Sequence, residues 1–117
     1  VNIIFMNNDF NFRQTKVYIL AKEFRKKILE TIKINKLDRI LSDQINRASL
    51  SIVLNIAEGF GRFHKTDKRN FYVIARGSAF ECVACLDIIY DSKIPKKDLD
   101  TANELGKMLS GLIKTFS

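Results

Sequence analysis

The chain is 117 residues long, 46% hydrophobic and 28% charged, with one proline and five glycines. That composition suits one folded domain and excludes a low-complexity or disordered polymer. The formal net charge is +7 and the isoelectric point about 9.6, which favours an acidic partner, nucleic acid ahead of an anionic membrane, beside the plain alternative of a lysine-rich solvated coat.

The spacing of apolar residues predicts four helices, over about 10–33, 38–62, 67–90 and 96–116 of a single 1–117 domain. In the first, Val17, Leu20, Ala21, Phe24, Ile28 and Ile32 recur every three or four residues, and Asn8 or Asp9 is placed to cap its start. Its other face carries Arg13, Lys16, Lys22, Arg25, Lys26, Lys27 and Lys33, with Lys36 at the break that follows. Only Glu23 and Glu30 offset them, so this is the most basic surface expected on the chain.

The second helix starts near Asp38 or Ser42. Its stripe is Leu41, Ile45, Ala48, Ile52, Ile56, Phe60 and Phe63, and Leu50, Val53, Leu54 and Ala57 add a second apolar flank. A helix apolar around most of its circumference is expected to be covered on more than one side. Between the flanks runs a polar line, Arg47, Ser51, Asn55, Glu58 and Arg62, which needs partners if buried.

At the run NIAEGFGRFHKTDKR (55–69), Gly59 and Gly61 fall at the end of that helix, where a left-handed residue is expected to terminate it. Thr66 is the expected N-cap of the third helix, with Asp67 at the positive end of its dipole. EGFGR is neither GxxxxGK[ST] nor GxGxxG and follows a helix rather than a strand, so a phosphate-cradling loop is disfavoured.

The third stripe is Phe71, Ile74, Ala75, Ser78, Cys82, Cys85 and Ile89, and the small residues around Gly77 would admit a close neighbour. Pro95 fits the first turn of the fourth helix, whose stripe is Leu99, Ala102, Leu105, Leu109, Leu112 and Phe116. Four helices with short connections imply an all-α, antiparallel up-and-down four-helix bundle.

Little points to catalysis. Cys82 and Cys85 match CxxC, but inside a helical pattern they read as core thiols. His64 is the sole histidine, so neither a zinc set nor a Glu-x-x-His di-metal motif is present, and no cofactor is expected. Glu58 and Glu81 could serve as an acid–base pair in principle; the preferred reading pairs them with arginines such as Arg47, Arg62 or Arg76. No apolar run reaches the ~20 residues of a membrane span, and VNIIFMNNDF lacks the basic n-region and long h-region of a signal peptide. A cytoplasmic, non-membrane protein is the expectation.

The stretches QINRASLSIVLNIAEGFGRF (44–63) and FYVIARGSAFECVACLDI (71–88) resemble the proteins encoded in intervening sequences of bacterial 23S rRNA genes. The residues that carry the likeness are Gln44, Ile45, Arg47, Ala48, Ser51, Ile52, Asn55, Ile56, Ala57, Glu58, Gly59, Gly61 and Arg62. They continue with Phe71, Ala75, Gly77, Ser78 and Glu81. The chain departs from the family pattern at Val53, where a proline is common, and at Tyr18, near a common tryptophan; a Phe-Pro step between the first two helices is also missing.

The resemblance implies an up-and-down bundle similar to the accessory protein of diversity-generating retroelements. It further implies a basic homo-oligomer, a pentamer, that is not an enzyme and binds nucleic acid, RNA or DNA. On this reading the first-helix cations, with Arg62, Lys65, Lys68 and Arg69 at the corner, contact phosphates. Arg47, Ser51, Asn55, Glu58, Arg62 and Glu81 form an internal network that sets helix register. Phe63 and Tyr72 are the aromatics to consider for base stacking, both expected in the core. The alternative is a protein-interaction scaffold, associated with a reverse transcriptase or the ribosome, that is basic because its partner is acidic.

Overall fold

The computed structural model describes residues 10–117. A 3₁₀ turn, Asn11–Gln14, leads into α1 (Lys16–Asn35), followed by α2 (Arg39–Gly61), α3 (Lys65–Ile89) and α4 (Lys96–Thr115). Among the described residues there is no strand. Each helix packs on the next and α4 returns to α1, which closes an all-α four-helix bundle. The core is the union of the predicted stripes: Phe24 and Ile28 of α1, Ile45, Ile52 and Ile56 of α2, Cys82 and Leu86 of α3, and Leu105 and Leu109 of α4 are buried together. Each fully buried Leu, Ile or Phe contributes about 1.5–3 kcal/mol. The α2–α3 pair is the most extensive interface; buried Ala48, Ala75, Ser78 and Ala79 keep side chains short there.

The helix ends differ from expectation in informative ways. Asn8 and Asp9, the expected caps of α1, lie outside the described residues. The cap among the described residues is Thr15, whose extended backbone breaks from the 3₁₀ turn and whose hydroxyl accepts from the Tyr18 N–H at 3.4 Å. Asp38 caps α2 by accepting from the Leu41 N–H at 2.8 Å. Thr66 does not cap α3: the helix already starts at Lys65, with His64 as an N-cap that makes no side-chain cap bond. Pro95 is the N-cap of α4.

Neither Gly59 nor Gly61 supplies the expected left-handed end to α2; no glycine among the described residues has a positive φ. The chain leaves the helix through Arg62 in an extended conformation. Gly59 has a packing role instead: a Cβ there would stand 2.8 Å from Cδ1 of Tyr72. Phe63 is the largest correction to the expected core. Spacing makes it the next step of the α2 stripe, but the helix ends before it and the ring is 98% exposed.

Candidate nucleic-acid interface

The basic residues of α1 divide by what they touch. Lys22, Lys26 and Lys33 follow one another at four and seven residues on the side away from the core and are exposed, with Lys22 lying 5.4 Å from the centre of the Tyr18 ring. Arg25 faces α2. One guanidinium nitrogen donates to the Asn46 backbone carbonyl, to Asn46 Oδ1 at 2.6 Å and to Ser49 Oγ at 2.8 Å. Lys27 faces α4 and pairs with Asp98 at 3.0 Å. Both are committed to holding helices together, and charge-assisted bonds of this kind are among the stronger polar interactions of a fold.

At the α2–α3 corner a similar division holds. Lys68 donates to the carbonyls of Gly59 at 3.1 Å and Phe60 at 3.0 Å, and its ammonium sits 5.8 Å from the Phe116 ring centre. It thereby neutralises the negative end of α2. Arg69 donates from Nε to Ser117 Oγ at 3.1 Å while remaining exposed. Arg62 pairs with Glu58 at 2.9 Å and lies over the Phe71 ring at 4.7 Å. Among the described residues, Arg13, Lys16, Lys22, Lys26, Lys33, Lys36 and Lys65 are exposed and make no ion pair or side-chain hydrogen bond.

The up-and-down path brings the start of α1, the α2–α3 corner and the end of α4 to one end of the bundle. That end gathers Arg13, Lys16, Arg62, Lys65, Lys68, Arg69 and Lys114, against Glu58 and Asp67. Periodicity places the basic surface along α1; the convergence at the bundle end becomes visible only once the helices are stacked.

A family model described as 23S rRNA-intervening sequence protein matches residues 13–114. The chain belongs to that family. No curated protein and no solved structure matches it. The match spans all four helices of this member.

The polar line on α2 does not form one network. Ser51 and Ser78 share a 2.8 Å hydrogen bond between hydroxyls, and Asn55 donates to Ser51 Oγ at 3.0 Å and to its carbonyl at 2.8 Å. This trio is partly buried between α2 and α3. Arg62–Glu58 forms a separate surface pair, and Arg47 and Glu81 are exposed with no polar partner among the described residues.

The thiols of Cys82 and Cys85 are buried and free. Burial, then the neighbouring Cys85 and Glu81, pushes Cys82 up to about 12, and burial also raises Cys85. At neutral pH neither is a thiolate, so neither is poised as a nucleophile. Among the described residues no group of His, Cys, Asp or Glu is arranged to hold a metal ion. No helix among them is long and apolar enough to cross a membrane.

Proposed function

We propose that this chain is a cytoplasmic, non-catalytic accessory protein that assembles as a homo-oligomer, a pentamer, and binds nucleic acid, RNA foremost, through phosphate contacts. The observation that supports this most is the cationic end of the bundle, where Arg13, Lys16 and Lys65 have no internal partner among the described residues and Arg69 stays exposed beside them. Cations that are not consumed by the fold are available to displace counterions from a phosphate backbone. The outward row Lys22, Lys26 and Lys33 extends the same surface along α1.

Oligomerisation is supported by the surplus apolar surface of α2 and α3. Ile88 is 67% exposed and Phe80 60%, and Leu50 and Ile74 add to the apolar surface left uncovered on the two helices. Exposed apolar groups on adjacent helices suit contact with another copy.

Titration against structured RNA at low and moderate salt, with light scattering in the same buffers, tests both parts. An oligomer whose RNA affinity falls steeply with salt supports the proposal. A monomer, or a protein that binds no RNA at low salt, counts against the corresponding part, and the second result turns attention to an acidic protein partner.

A further inference from the structure

Phe63 stands in solvent at the corner between α2 and α3. It is 98% exposed, follows Arg62 and precedes His64 and Lys65. Beside it lies an open hollow of about 690 Å³. It is lined by the apolar Leu54 and Ala57, by the Arg62–Glu58 ion pair, by Phe63 and His64, and by Asp67. Asp67 is half-buried and makes no hydrogen bond or ion pair through its carboxylate among the described residues.

Two features of this hollow match an unpaired nucleobase. Bases taken out of a stack are held against aromatic side chains and read on their Watson–Crick edges. An exposed phenyl ring in a cationic setting gives the stacking surface, as at single-strand binding sites generally. An ionised carboxylate is an acceptor only, and its two oxygens suit a pair of adjacent N–H donors. Guanine presents such a pair, its ring N1–H and exocyclic amino group, whereas uracil presents one N–H between two carbonyls.

We infer that the hollow lined by Phe63 and Asp67 receives one unpaired base of a bound nucleic acid, guanine by preference, while the cations near it hold the flanking phosphates. The inference rests on the nucleic-acid reading above and narrows it: duplexes engage the cationic end alone, and single strands engage the corner as well.

The chain has no tryptophan, so Phe63→Trp installs a single indole emitter at the wall of the hollow. The probes are a short oligouridine, the same strand with one central guanosine, and an RNA duplex. In this variant the guanosine strand is expected to quench the indole emission and the duplex to leave it unchanged. Phe63→Ala is expected to weaken the guanosine strand about fivefold, the low end of measured base–aromatic stacking, and duplex binding by less than about twofold. Asp67→Asn should narrow the difference between the guanosine strand and oligouridine.

Equal weakening of single strand and duplex in Phe63→Ala would overturn the inference, as would bound single strand with no quenching. A smaller oligomer in Phe63→Ala, measured by light scattering, would also overturn it by assigning the ring to an interface between copies. If the wild-type protein binds neither strand nor duplex at low salt, the broader nucleic-acid reading fails with it; binding to both with Phe63 silent defeats this inference alone.

Discussion

The ring of Tyr72 occupies the space that a side chain on Gly59 would need: a Cβ at that position would overlap Cε1 and stand 2.8 Å from Cδ1 and 2.9 Å from Cζ. Tyr72 is 1% exposed and its ring also meets Phe60 and Phe116, each with centroids 5.9 Å away. The close approach of α2 to α3 at the corner therefore depends on the absence of one methyl group. Gly59→Ala should destabilise by about 1–3 kcal/mol, the usual cost of overpacking. Gly61→Ala, where a Cβ would meet nothing within 4 Å, should be neutral or gain up to about 1 kcal/mol from helix propensity. Urea denaturation of the two variants checks the contrast.

Arg25 and Lys26 are neighbours in sequence with different roles. Arg25→Ala removes the bonds to Asn46 and to the fully buried Ser49, and should cost about 1–3 kcal/mol through the polar groups left behind. Lys26→Ala, at an exposed site without a polar partner among the described residues, should change stability by less than about 0.5 kcal/mol and instead weaken RNA binding. Thermal melts paired with binding titrations separate the two effects.

The divided polar line predicts unequal responses along α2. Ser51→Ala removes a hydroxyl that bonds both Ser78 and Asn55 and should destabilise by about 1 kcal/mol. Glu58→Gln breaks a pair with both side chains about half exposed, so solvent screening limits the expected change to less than about 1 kcal/mol. Denaturant midpoints with unchanged slopes would verify the order.

The buried thiol gives an alkaline signature. Cys82 ionises at about 12 in the folded protein against an ordinary 9.0, so the unfolded chain releases its proton first. Its contribution to stability is complete below about pH 9 and is lost as pH rises toward about 12. Tyr72, raised by burial from 10.0 to about 12, acts in the same direction from about pH 10 upward. Cys82→Ala should therefore show a shallower fall of Tm between about pH 9 and 10 than the wild type, whatever its stability at neutral pH.

The four helices and their core faces are legible in the sequence because apolar residues recur every three or four positions from Val17 to Phe116. The corner is not. Periodicity alone carries the α2 stripe through Phe60 to Phe63, and nothing in spacing reveals that the backbone turns extended at Arg62. Thr15 is a visible cap, a threonine just before the periodic run, but the apolar and aromatic residues upstream draw the expected start earlier. The roles of Arg25, Lys27 and Lys68 depend on Asn46, Asp98 and the end of α2, which become neighbours only through tertiary packing. Charge counted along the sequence overstates how many cations are available to a ligand.

The central claim is that unconsumed cations at one end of the bundle engage phosphates. Its most direct test is the salt dependence of RNA affinity for the wild type and for Lys16→Gln/Lys65→Gln, two exposed sites with no internal partner among the described residues. The log–log slope should become shallower by about 0.7–0.9 for each phosphate no longer neutralised, with melting unchanged. An unaltered slope and affinity in the double variant would contradict the claim.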